Sequence, residues 1–181
     1  MIYENIQEEL QILKQLPEPV VTWFRANKRE LPWRDHPDAY RVWVSEIMLQ
    51  QTRVEAVKSY YHRFLEALPD VKALAEAEED QLLKLWEGLG YYNRVRNMQK
   101  AATQIMVDYG GEFPQTYEEI LNLTGIGSYT AGAISSFAFG LAKPAVDGNV
   151  LRVISRITGS DRDIMKQSVR KRMETLLEQV I

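Results

Sequence analysis

Two carboxylic acids stand apart from the other Asp and Glu residues of this 181-residue chain by their surroundings. Glu46 lies in AYRVWVSEIMLQQTR, where Tyr40, Val42, Trp43, Val44, Ile47, Met48 and Leu49 surround a helical axis almost completely. A helix apolar on nearly every side is a buried helix. A glutamate on it is either paired or functional, because lone acids are ordinarily solvated. Burial raises a carboxyl pKa, and an acid kept protonated near neutral pH serves as a general acid. Asp147, in KPAVDGNVLR, lies between a loop and a glycine and is expected to stay ionised. Two carboxyl groups in opposite protonation states fit the cleavage of an N-glycosidic bond. One protonates the leaving base and the other steadies an oxocarbenium-like sugar.

A third stretch, LTGIGSYTAG at 123–132, suggests what holds the substrate. Gly125 and Gly127 let the backbone take positive φ and approach a ligand closely. The helix restarting at Ser128 aims unpaired N–H groups and the positive end of its dipole into the same space. That is an anion site, although a bare helix-turn-helix with a GxG connection reads equally well from these residues alone. The second helix-opening loop, with Asp147 at its mouth, favours a nucleic-acid backbone held beside a catalytic carboxylate.

The elements that must position these groups are helical throughout. Apolar periodicity predicts helices over 3–15, 19–28, 38–52, 54–67, 79–86, 92–109, 116–122, 128–139, 149–158 and 166–181, with no sustained period-2 alternation. Breaks fall at Pro17 and Pro19, at 31–38, 88–90, Gly110 and Gly111, 125–127 and 143–148. The fold class is all-α, with no internal repeat or low-complexity linker. A hydrophobic content of 45% is enough for a sizeable core.

Composition narrows the function classes. With no cysteine there is neither a disulfide nor a thiolate metal site, and two histidines alone make a poor one. The opening MIYENIQEELQILKQL has acids and no unbroken apolar run, so neither a signal peptide nor a membrane span is expected, and a cytoplasmic protein is. The net charge of −3 argues at first against nucleic acid. Its distribution softens that: residues 65–90 carry seven acids against two bases, and residues 151–181 seven bases against four acids. One basic face is compatible with an acidic total, as are plain solvated helix faces.

LPWR, SEIMLQQT, WEGLGYYNRVRN, LTGIGSYTAGAI and VDGNVLRV, in this order and at these spacings, resemble the helix-hairpin-helix DNA glycosylases, and closely their A/G-mismatch adenine-specific group. The resemblance runs from about residue 8 to the end of the chain. It implies a six-helix barrel lobe over 30–147 containing the hairpin at about 116–139. A second helical lobe is implied from 1–29 and 148–181, with the active site between the two.

The same resemblance assigns roles. Glu46 matches the glutamate that protonates adenine on N7, and Asp147 the aspartate that stabilises the cationic sugar. Tyr129 matches a site-shaping tyrosine. The endonuclease III group has a lysine there that forms a Schiff base and permits strand cleavage. Asn149 matches a helper for the catalytic water. Arg29, Leu31, Trp33 and Arg34 resemble the rim of the adenine pocket, Gln51 and Tyr91 the side chains that wedge into the duplex, and Thr52 and Leu89 contacts to the opposite 8-oxoguanine. Gly125, Ile126, Gly127, Ser128 and Thr130 match the segment that grips the DNA backbone. The carbonyls of Leu121, Leu123 and Ile126 match a site for a sodium or calcium ion.

The implied partner is double-stranded DNA with adenine opposite 8-oxoguanine or guanine, and no membrane. The family continues past the point where this sequence stops, into four cysteines that bind a 4Fe–4S cluster and a domain that recognises 8-oxoguanine. The chain is therefore expected to be an N-terminal part of such a protein, weakly active or inactive alone. Its N-terminal apolar residues Ile6, Leu10, Leu13 and Leu16 are expected to be bared and to promote self-association.

Several residues keep a structural alternative. Trp33 reads equally as a core anchor and Trp43 chiefly so, while Arg94 and Arg96 read as phosphate contacts or solvated charge. An endonuclease III-like or other mismatch glycosylase and a non-catalytic hairpin module remain the rival functions. Tyr129 and QQT after Glu46 speak against the first, and Glu46 in an apolar helix against the second.

Overall fold

The computed structural model describes residues 2–181, with side chains from residue 6 onward. The described residues form α-helices and one 3-10 turn, without a strand: α1 Ile2–Leu13, α2 Pro17–Asn27, the 3-10 turn Pro32–Arg34, α3 Ala39–Leu49, α4 Val54–Ala67, α5 Val71–Glu76, α6 Glu79–Trp86, α7 Asn93–Asp108, α8 Tyr117–Leu121, α9 Ser128–Phe139, α10 Gly148–Thr158 and α11 Gln167–Leu177. No helix among them is long and apolar enough to cross a membrane.

Local chemistry explains several boundaries. The side chains of Asp38 and Asp70 accept from the backbone N–H of Arg41 and Ala73 at 2.9 and 2.8 Å, capping α3 and α5. Thr116 caps α8 by accepting from Glu119 N–H at 3.3 Å while its hydroxyl donates to the Glu119 carboxylate at 2.6 Å. At the other end, α9 stops at Gly140 and α10 at Gly159, both left-handed with φ of 66°.

Some boundaries differ from the sequence-based expectation. Helix α2 begins at Pro17 and not at the expected residue 19, since a proline in the first turn forfeits an N–H that has no helical partner anyway. The segment after Asp70, for which no helix was expected, holds the six-residue α5, too short to display helical periodicity. Helix α3 ends at Leu49, and residues 50–52 leave the helix.

The chain divides into two compact units. Residues 31–141 form one, and residues 1–30 with 142–181 the other. The core of the first is built on Trp43, Phe64, Trp86, Met48, Leu74, Leu82, Met98, Ile105 and Ile134, all essentially without exposure. Within it α3 packs against α9 and α4, and α5 against α7. The second unit has a smaller core of Leu10, Leu13, Val146, Leu151, Ile154, Met173 and Leu176, with Ile6 and Leu16 packed at its edge. The apolar stripe of α1 is therefore covered within the unit and not bared. Exposed apolar residues gather on α2, where no residue is buried and Trp23 is 65% exposed, and the same unit also exposes Ile12, Val153, Ile157 and Met165. In the same unit the buried Glu9 carboxylate accepts from Arg172 at 2.6 Å.

Candidate active site

Asp147 is placed by its own capping chemistry. Its Oδ1 accepts from the Val150 N–H at 2.8 Å and so caps α10. Its Oδ2 accepts from the Asn149 side-chain amide at 3.0 Å. The Asn149 carbonyl oxygen in turn accepts from Arg152 Nη2 at 3.3 Å. One turn of helix thus holds a half-buried carboxylate in a fixed orientation, with the amide of Asn149 anchored from both ends. Arg152 was not singled out in the sequence, where its spacing from Asn149 is one of many i, i+3 pairs.

Glu46 occupies the last full turn of α3. Eight of that helix's eleven residues are buried, among them Trp43, Ile47 and Met48 around it, whereas Glu46 itself is half-buried. The helix is held against the unit's interior by aromatic edges. Trp43 meets Phe113 and Tyr40 with ring centroids 5.6 and 6.3 Å apart, and the Tyr40 hydroxyl donates to the Leu68 carbonyl at 2.8 Å. Burial pushes the Tyr40 hydroxyl well above its ordinary range, so it remains a donor. The acid is consequently presented from a rigid support.

The hairpin runs from α8 through 122–127 into α9. Gly125 has φ of +78°, as expected from the sequence, but Gly127 does not: at φ −98° and ψ 175° it is extended and forms the N-cap of α9. The two glycines have different reasons to be there. A Cβ on Gly125 would stand 2.7 Å from Asn97 Cβ, whereas one on Gly127 meets nothing within 4 Å. Gln104 of α7 ties the turn down by accepting from Thr124 N–H at 3.2 Å and donating to the Asn122 carbonyl at 3.4 Å. Leu123, Ile126 and Thr130 are buried, Ser128 and Tyr129 half-buried.

Of the other candidates, Leu31, Trp33 and Leu89 are buried, and Trp33 packs edge-on to Tyr61 at 5.5 Å. Arg29 and Arg34 are exposed, and Thr52 is half-buried with its hydroxyl donating to the Gln50 carbonyl at 3.4 Å. Gln51 is exposed and Tyr91 is 68% exposed. Arg94 and Arg96 each have a partner within the chain. Arg96 pairs with Glu79 at 2.9 Å, and the Arg94 guanidinium donates to carbonyls of two separate segments. Glu46, Tyr129, the hairpin and the Gln51 and Tyr91 turns belong to the 31–141 unit, and Arg29, Asp147 and Asn149 to the other.

Metal-ligating chemistry is sparse. Among the described residues no three His, Cys, Asp or Glu side chains gather where they would hold a metal ion. The chain has no cysteine, so its residues do not fit an iron–sulfur cluster.

Comparison with known proteins agrees with this architecture. The family model of the HhH-GPD superfamily base excision DNA repair proteins matches residues 44–179. The chain is 42% identical over 171 residues to the adenine DNA glycosylase of Homo sapiens, covering 90% of this chain and 31% of that protein. It is 39% identical over 162 residues to the adenine DNA glycosylase of Buchnera aphidicola (subsp. Acyrthosiphon pisum), covering 89% and 46%. The chain thus spans less than half the length of either relative. Among solved structures, a trapped endonuclease III–DNA covalent intermediate superposes with a TM-score of 0.77 at 26% identity, over 95% of this chain and 78% of that one.

Proposed function

Because the chain belongs to the HhH-GPD superfamily of base excision DNA repair proteins, we propose that it carries the base-removing machinery of a DNA glycosylase that excises adenine mispaired with 8-oxoguanine or guanine. The observation that carries the chemistry is Glu46, the one acid of α3, half-buried on a helix whose residues are mostly buried. The identity of the base rests on the relatives, which are named for adenine.

In this reading the Glu46 carboxylic acid gives its proton to N7 of an extruded adenine. The C1′–N9 bond breaks with its electron pair going to the base. The cationic sugar left behind is stabilised by the Asp147 carboxylate until water adds at C1′, oriented by Asn149 and losing its proton to the Glu46 carboxylate, which restores the acid. The products are free adenine and an abasic strand. Arg29, Leu31, Trp33 and Arg34 serve as the adenine-pocket rim, and Thr52 and Leu89 face the opposite base. Extrusion costs a few kcal/mol of lost pairing and stacking, which Gln51 and Tyr91 offset by filling the gap. The direct test is release of free adenine from an 8-oxoguanine:A duplex by this chain. No release at saturating protein overturns the reading.

Tyr129 separates hydrolysis from lyase chemistry. A phenol at that position cannot form the Schiff base that a lysine would. Borohydride added during turnover is expected to trap little protein–DNA adduct, and the abasic strand to stay intact until alkali or heat is applied. Efficient trapping would mean that another amine attacks the sugar.

The hairpin glycines give a paired prediction about backbone grip. Gly127→Ala adds a methyl in open space, so stability should change by less than about 1 kcal/mol, the scale of an N-cap exchange. Duplex affinity should nevertheless fall by about tenfold, equally for matched and mismatched DNA, because phosphate contacts position and do not specify. Gly125→Ala places a side chain at positive φ and against Asn97, and should lower the melting temperature as well. Calorimetry and fluorescence anisotropy on both variants check this. Unchanged affinity in Gly127→Ala would refute a backbone grip there.

A sodium or calcium ion fits the turn as a carbonyl-ligated cation. The Leu123 carbonyl already accepts from the Ile126 N–H at 3.1 Å and keeps a second lone pair, and the carbonyls of Leu121 and Ile126 are the other donors. Such an ion would add positive charge beside a bound phosphate.

A further inference from the structure

Among the described residues only Gln51 and Tyr91 take positive φ without being glycine, at 58° and 47°. A side chain in the left-handed region costs on the order of 1 kcal/mol, and a glycine would remove the cost. Neither turn needs its side chain for the core, since both residues are exposed. The strain is therefore kept for what these side chains do outside.

Both turns are held by one residue. Arg94, in the first turn of α7, donates through Nη1 to the carbonyls of Ile47 and Gln50 at 2.8 and 2.6 Å, with Met48 at 3.5 Å. Through Nη2 it donates to those of Leu89 and Gly90 at 2.9 and 3.2 Å. The first set closes the end of α3 immediately before Gln51, and the second lies immediately before Tyr91. The guanidinium also stands 5.3 Å from the Trp86 ring and 5.8 Å from the Tyr91 ring, and Trp86 Nε1 donates to the Gly90 carbonyl at 3.1 Å. Burial lowers the Arg94 pKa from its ordinary value, yet a guanidinium stays charged at any physiological pH. A planar fork can satisfy carbonyls of two segments some forty residues apart in sequence. A lysine, with the same charge on one point, reaches one set.

We propose that Arg94 is a positioning residue that locks the Gln51 and Tyr91 turns into a single two-pronged unit, so that both side chains enter the duplex together. The inference rests on the base-extruding reading above. Its test uses a duplex with 2-aminopurine opposite 8-oxoguanine, whose fluorescence rises when that base leaves the stack whether or not it is excised. Arg94→Lys is expected to cut the fluorescence rise at saturating protein by at least about tenfold, the factor that one lost charge-assisted hydrogen bond already sets, with duplex affinity little changed. Amide exchange should accelerate together at 50–52 and 89–92.

Gln51→Gly and Tyr91→Gly relieve the positive φ and should fold at least as stably as the unaltered chain. Each should lose most of the fluorescence rise, and the double variant should lose little more, because coupled residues act as a unit. Full amplitude in Arg94→Lys, loosening of only one turn, or additive glycine effects would each overturn the proposal. So would an unaltered protein that never raises the fluorescence, since no base then leaves the stack. A rise without adenine release would sink only the assignment of the excised base.

Discussion

Glu46→Gln is expected to reduce adenine excision by roughly 10³-fold, within the range that loss of a general acid produces. Affinity for the 8-oxoguanine:A duplex should stay within a few-fold of the unaltered protein. The exchange removes the transferable proton and almost no volume, and at a half-buried position on a helix anchored by Trp43 and Tyr40 it should leave the melting temperature nearly unchanged. Single-turnover excision with saturating protein isolates the chemical step from binding. A purely structural role for Glu46 predicts the reverse, a shifted melting temperature with normal turnover.

The positions of the candidate groups along the helices were largely legible in the sequence, for a physical reason. Apolar periodicity and cap residues are local signals. Asp38, Thr116 and Asp147 announce helix starts by side-chain chemistry that reaches only three residues ahead. What was not legible depends on partners distant in the chain. The arginine that ends α3 lies 47 residues from the Ile47 carbonyl that it binds, and it stands in a run, NRVRN, that looks like surface charge. The same holds for Gln104, which fastens the hairpin turn from α7.

The glycine pair marks the limit from the other side. Composition could not tell the position that needs a left-handed backbone from the position that needs only an uncovered one. Both glycines are adjacent to Ile126, yet only Gly125 faces a neighbour that a methyl would strike. The distinction matters for function: a glycine that the fold does not require is a stronger pointer to an approaching ligand than one that the fold does.

Asp147 presents the same question of fold against chemistry, and a pair of substitutions separates the two. Its Oδ1 caps α10 through the Val150 N–H, so Asp147→Ala should destabilise by about 1 kcal/mol, the usual loss of a capping side chain. Asparagine caps nearly as well, and Asp147→Asn should cost no more than a few tenths, from the lost attraction between a negative charge and the helix N-terminus. If the carboxylate stabilises a cationic sugar, both variants should lose excision to a similar depth, roughly 10²- to 10³-fold, because neither supplies the charge. Thermal melts would then rank the unaltered protein and Asp147→Asn together above Asp147→Ala, while single-turnover rates would group the two variants together below the unaltered protein. Excision that tracks stability, with Asp147→Asn nearly normal, would reduce Asp147 to a helix cap. The charge for the sugar would then have to come from another acid.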